Sequence, residues 1–259
     1  MTTDNIQFSS LLDNAVSNPG IISEAYSAFH AYSLGNVLAA AFQCASRGIA
    51  LGPIGSYKAW QDKGRQVKKG EKAIALCMPI TCKGKKENEN GETEEFSFSR
   101  FTWKNNWFVL SQTEGDDFAN EAFTPEWDKQ TALLSLNITE GTFNHHNGNC
   151  QGYASGTSIA INPLAAHPHK TRFHELAHVV LGHTLEHTMT DSETTPTDTR
   201  EVEAESVAFI LCTLLDLPGQ NESRGYIQNW LNGGTISEKS AQKIFSTADK
   251  ILKAGKPQQ

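Results

Sequence analysis

Residues 173–183 read Phe-His-Glu-Leu-Ala-His-Val-Val-Leu-Gly-His. On a helix, residues four apart stand one above the other, so His174 and His178 can aim imidazole nitrogens at one point. Two neutral imidazoles on one face suit a Zn²⁺ ion, and a third protein ligand leaves the fourth position for water. Glu175 lies about 100° round the helix from His174, near enough to reach that water without binding the metal. The pattern H-E-x-x-H also arises by chance on surface helices, so its setting matters. Leu176, Ala177, Val179, Val180 and Leu181 make this helix apolar almost all round, as a buried helix is. Two histidines and a glutamate in such a helix need a partner, because buried polar groups are costly unless satisfied. A metal meets that need.

The third ligand has to come from a later helix. After a polar stretch over 184–199, Arg-Glu-Val-Glu-Ala-Glu-Ser-Val-Ala-Phe-Ile-Leu-Cys (200–212) reads as a helix starting at about Thr199. Glu201 and Glu205, four apart, share a face, whereas Glu203 points about 200° away from Glu201. Acids also gather at helix N-termini simply because the dipole favours them there. The pattern resembles the glutamate-zincins, in which a ligand glutamate is followed four residues later by a residue that steadies a metal-bound histidine. That resemblance implies Glu201 as ligand and Glu205 as its support, with Glu203 the alternative if the helix is rotated. His183 stands one position short of a metzincin-type third histidine. Gly182 before it reads as the residue that ends the helix, which leaves His183 for substrate contact rather than ligation. His167 and His169, around Pro168, and His145 and His146 read as exposed loop residues. Upstream, GYASGTSIAINP (152–163) reads as a turn and then a strand carrying Ile159 and Ile161. A strand in that place in zincin-like peptidases is an edge that pairs with extended substrate; a plain sheet strand is the other reading.

The rest of the chain differs in character. Its net charge of -7 is uneven: residues 1–113 hold 12 Lys+Arg against 10 Asp+Glu, leaving 10 against 19 for the remainder. A mildly basic front and an acidic back suggest two domains with different partners. The acidic, non-periodic stretch 111–127 contains the seam, which gives domains over 1–113 and 126–259 with a linker over 114–125. The five cysteines lack C-x-x-C spacing and read as free thiols of a reducing cytoplasm, Cys44 and Cys212 being small core residues. MTTDNIQFSS lacks the layout of a signal peptide, and no stretch approaches the roughly 20 apolar residues of a membrane span.

Within the front part, helical spacing predicts helices over 6–15 and 22–47, the latter closed by Gly48, and Ser56 caps a short helix over 57–62. Strands are expected over 73–82, 96–100 and 103–110, with Lys104-Asn105-Asn106 at a turn. Farther along, helices are predicted over 125–136, 223–231 and 238–253. The fold class is therefore α+β: a small helix-plus-antiparallel-sheet domain, then the metal-helix domain. Residues 47–72 carry seven Lys or Arg against only Asp62 and Glu71, with Tyr57 and Trp60 among them. Basic and aromatic side chains interleaved in this way match the phosphates and base faces of a single strand. Composition alone favours a solvated basic surface with Trp60 packed inward.

SLGNVLAAAFQ (33–43), followed by SYKAWQDKGRQVKKGEKAIALCMPI (56–80), resembles the N-terminal domain of the ArdC-like antirestriction proteins of mobile genetic elements. The resemblance covers roughly 26–110, and the run from Trp60 to Lys72 is its most specific part. It implies a domain that binds single-stranded DNA, followed by a zincin-like metallopeptidase domain. Asn36, Lys58, Trp60, Arg65, Gln66, Lys68, Lys69 and Lys72 are then the candidate DNA contacts. His174, His178 and Glu201 are the expected Zn²⁺ ligands, Glu175 is the general base, and an unidentified peptide is the substrate. The competing expectation is a DNA-binding shield protein in which the metal only holds the fold.

Overall fold

The structure, a computed structural model, describes residues 6–87, 93–118, 123, 125–144, 150–184, 197–231 and 234–257. Helices α1 (Phe8–Ser17), α2 (Ile21–Phe29) and α3 (Leu34–Arg47) open it. Where one helix was expected over 22–47 there are two, because the chain breaks at residues 30–33. The first amides of a helix need acceptors from outside it. Leu34 N–H finds one in the Asp249 carboxylate at 3.0 Å, which fixes where α3 begins. Then follow β1 (Ile54–Ser56), α4 (Tyr57–Gln61), β2 (Arg65–Val67), β3 (Ile74–Glu87), β4 (Thr93–Val109) and β5 (Thr113–Gly115). The remainder comprises α5 (Lys129–Leu136), β6 (Thr139–Gly141), β7 (Gly152–Ser155), β8 (Ser158–Ile161), α6 (Pro168–Leu181), α7 (Thr197–Leu214), α8 (Gln220–Leu231) and α9 (Glu238–Ala254). The architecture is α+β.

Two compact units form, one built on residues 39–120 and the other on 7–38 together with 121–259. This differs from the expected division into 1–113 and 126–259. The reason is packing: α1 lies on α8 and α9, and α2 on α7. Leu11, Leu12, Ala15 and Val16 of α1 are buried, and Phe8 and Ser9 N–H donate to the Glu238 carboxylate at 2.9 and 3.0 Å. That carboxylate satisfies the first turn of α1, as an N-terminal acid does.

In the 39–120 unit, an antiparallel sheet runs in the order β1-β4-β3, and β2 pairs with β5. Ser56 caps α4 by accepting from Ala59 N–H at 3.1 Å. That short helix puts Trp60 into the core, 2% exposed, where its indole N–H donates to the Phe108 carbonyl at 2.8 Å. The Gln43 side chain accepts from Ala75 N–H at 2.9 Å and donates to Ala75 C=O at 2.8 Å, standing in for a strand partner. No turn occurs at 104–106. Instead β4 runs straight through, and the register against β3 shifts between Ile74 and Ala75, a bulge that absorbs one extra residue.

In the other unit α7 is the central element, buried continuously from Val202 to Leu214 and packed by α2, α6, α8 and α9. The sheet here has the order β6-β8-β7, with β6 parallel and β7 antiparallel to β8. The strand with Ile159 and Ile161, read as an edge, is therefore the middle one. The edges are β6 and β7, and β7 packs against α6. Gly152 is needed for that approach, because a Cβ there would lie 2.7 Å from Thr171 Cγ2 and 3.2 Å from Glu175 Cγ.

Candidate metal centre

Helix α6 carries His174, Glu175 and His178, and α7, packed against it, carries Glu201, Glu203 and Glu205. The Nε2 atoms of His174 and His178 lie 3.0 Å apart. The Glu201 carboxylate comes within 3.4 Å of His174 Nε2 and 3.5 Å of His178 Nε2. Among the described residues, these three form the group of side chains whose ligand atoms converge closely enough to hold a metal ion. Glu203 points elsewhere, to His183, and does not join them.

The opposite ring nitrogens show what the convergence needs. A carboxylate accepts only, so the ring nitrogen that faces it must carry the hydrogen. His174 Nδ1–H donates to Glu205 at 2.8 Å, and Lys170 holds the other Glu205 oxygen at 2.7 Å. Burial works against the Glu205 charge, yet the His174 and Lys170 bonds outweigh it and hold the carboxyl down to about 2. Glu205 therefore stays an acceptor, and a neutral His174 has a bare Nε2. Two imidazole lone pairs and a carboxylate then face one another with no hydrogen among them, which fits a cation. Without one, a proton serves: burial lowers the His174 pKa, but Glu201 and Glu205 bring it up to about 9. Burial and the neighbouring His174 press His178 down to about 4. Two nitrogens, one carboxylate and an open cleft match the ligand set of catalytic divalent-metal sites.

That cleft measures about 570 Å³ and is lined by β7, by His174, Glu175, His178, His183 and Thr184, and by Arg200 and Glu201. Glu175 is 7% exposed. Burial raises its carboxyl to about 7, with His174 pulling it down and Glu201 adding to the rise. A carboxyl titrating there can both take and return a proton near neutral pH.

The proposed DNA contacts fare unevenly. Trp60, in the core, has no face to offer a base; this corrects the expectation of stacking on it. Arg65 is held internally, its guanidinium donating to Thr113 and to the Gly115 and Asp116 carbonyls. Asn36 is 7% exposed and lies in the 7–38 segment, not in the unit that holds the basic run. Lys58, Gln66, Lys68, Lys69 and Lys72 are exposed, Lys68 also reaching the Ser111 carbonyl at 2.9 Å. His169 is exposed and His167 partly so, pairing with Glu222, while His145 and His146 lie outside the described residues.

Residues 14–105 match the family model of the N-terminal domain of anti-restriction factor ArdC. Over those residues the chain resembles the ArdC N-terminal domain. Its fold over nearly its whole length is that of the antirestriction ArdC protein from the R388 plasmid. The metal-free crystal structure of that protein matches with a TM-score of 0.51 at 20% identity, over 96% of this chain and 94% of that one. The Mn(II)-bound crystal structure gives 0.53 at 19% identity, over 97% and 99%. No curated protein matches the chain in sequence.

Two residues of this site, Lys170 and Arg200, escaped the sequence. Lys170, four before His174 on the same helix face, was readable from spacing. Arg200 was visible only as the neighbour of Glu201. His183 was noticed, but its contact with His178 depends on how the chain turns at Gly182, which spacing does not specify.

Proposed function

We propose that this ArdC-like chain combines a divalent-metal site for peptide hydrolysis with a surface that binds single-stranded DNA. The convergence of His174, His178 and Glu201, with buried Glu175 beside them, carries the first part. The R388 ArdC protein, which shares the fold, has been crystallised with Mn(II). We assign His174, His178 and Glu201 as ligands of a divalent ion, Zn²⁺ or Mn²⁺.

A divalent ion held by His174, His178 and Glu201 would supply Lewis-acid polarisation of a water and of a scissile carbonyl. Glu175 accepts the proton of the attacking water and returns it to the leaving amine, for which a carboxyl near 7 is matched. Arg200 lines the same cleft and supplies positive charge where negative charge develops on the carbonyl oxygen. An edge strand presents a row of backbone donors and acceptors, so β7 can bind an extended peptide by strand addition. The substrate is then read by its backbone, with side-chain preferences set by the cleft.

The DNA-binding part is supported by the N-terminal match and by the surface of the 39–120 unit. Exposed lysines of the basic run would neutralise phosphates. Aromatic faces are available on the β3–β4 hairpin, where Phe96 and Phe98 are 47% and 44% exposed, with their rings 5.7 Å apart. Arg100, exposed, follows on the same face of β4. Among the described residues no helix is long and apolar enough to cross a membrane.

The deciding comparison is wild type against Glu175→Gln, which keeps the shape and removes the base. Metal content is expected to survive while peptide hydrolysis is lost. Undiminished hydrolysis in the variant would remove Glu175 from the mechanism. Metal uptake by the wild type without hydrolysis of any peptide library would shift weight to the shield reading, in which DNA coverage alone protects.

A further inference from the structure

His174 and His178 are braced in different ways. His174 donates to a carboxylate directly, but among the described residues no carboxylate meets His178 Nδ1. Another imidazole does: His183 Nδ1 lies 3.0 Å from it, and His183 Nε2 lies 3.0 Å from Glu203. His183 is 9% exposed and Glu203 1%. A pair of polar groups so deeply buried is costly unless its hydrogen bonds are made.

The placement of His183 follows from the way α6 ends. Gly182 takes φ +79, and the chain folds back so that His183 N–H donates to the His178 carbonyl at 2.9 Å. This closure of the last helical turn lays the His183 ring against the His178 ring, their centroids 5.2 Å apart. Two Nδ1 atoms at hydrogen-bond distance share one hydrogen, and Glu203 decides which ring carries it. As a carboxylate it requires hydrogen on His183 Nε2, so a neutral His183 has a bare Nδ1 that accepts from His178 Nδ1–H. A neutral His178 is then bare at Nε2, the atom that faces His174 and Glu201.

We infer that His183 and Glu203 are positioning residues: they lock His178 in the Nδ1–H form with its Nε2 lone pair aimed at the ligand cluster. His183 is not itself a ligand, because both of its nitrogens point away from that cluster. The inference rests on the metal reading for its purpose, though not for the hydrogen-bond chain itself. Outer partners of this kind are worth about 10–100-fold in metal affinity.

Two measurements on the full chain test it. In the metal-free protein near neutral pH, two-bond ¹H–¹⁵N correlation of the His178 ring is expected to place the hydrogen on Nδ1. His183→Leu is expected to mix the two forms and to weaken Zn²⁺ binding, measured by chelator competition, about 10–100-fold. His183→Gln keeps a carbonyl acceptor and is expected to recover most of that loss. Hydrogen on His178 Nε2 in the wild type would overturn the inference. So would a folded His183→Leu variant that binds Zn²⁺ like the wild type. If the wild type takes up neither Zn²⁺ nor Mn²⁺, the metal reading fails, and the ring tautomer still decides whether the pair positions His178. Should His183→Leu fail to fold, Glu203→Gln, expected to disturb the same tautomer, takes its place in both measurements.

Discussion

Glu201 and Glu205 sit one helical turn apart on α7 and do different work. Glu201 faces both imidazole Nε2 atoms, while Glu205 lies behind His174, clamped by Lys170. Glu201→Ala removes a direct donor, so Zn²⁺ affinity should fall by more than the roughly 10–100-fold expected of Glu205→Gln. Chelator competition on both variants checks the order; equal affinity of Glu201→Ala and wild type would take Glu201 out of the ligand set. The placement of these acids was half legible. Spacing put Glu201 and Glu205 on one face and left Glu203 as an alternative, because periodicity gives relative angles around a helix and no absolute rotation. Packing of α7 against α6 supplies that rotation.

At the level of elements, the hairpin and α4 carry opposite expectations for aromatic substitution. Phe96 and Phe98 protrude from β4 and support no core, so Phe96→Ala and Phe98→Ala together should leave the unit folded. If single-stranded DNA stacks there, each change should weaken binding by about 1–3 kcal/mol. A gel-shift titration showing full affinity in the double variant would move the stacking surface elsewhere, Phe101 and Tyr57 being the other exposed aromatics of that unit. Trp60→Ala, by contrast, should destabilise the unit by about 3–5 kcal/mol, read by denaturant titration. The basic run was legible as a surface because lysines are solvated wherever they fall. Trp60 was half legible: composition favoured packing inward while the family resemblance made it a DNA contact, and the Phe108 carbonyl settles its direction. The long β4 strand was misread as two. Lys-Asn-Asn has turn composition, and only the bulge against β3 lets it stay extended.

On the scale of the molecule, the N-terminal helices belong to the unit that holds the candidate metal site. Leu12, fully buried, should therefore matter to that unit: Leu12→Ala is expected to reduce its stability by about 2–5 kcal/mol. Thermal melts followed by metal release would report the loss, and an unchanged release temperature would argue against the assignment of α1. Charge asymmetry along the sequence suggested two parts but could not show that residues 7–38 cross over, because amphipathic helices do not announce which partner they cover. The converging ligands have another implication. They offer nitrogen and oxygen only; none of the five cysteines, all free thiols, lines the cleft. Without a thiolate to favour softer ions, a site of this kind ranks first-row metals by their general order of affinity and leaves the choice to supply. The element found in purified protein would then record the medium in which the cells grew, and exchanging that medium should exchange the ion.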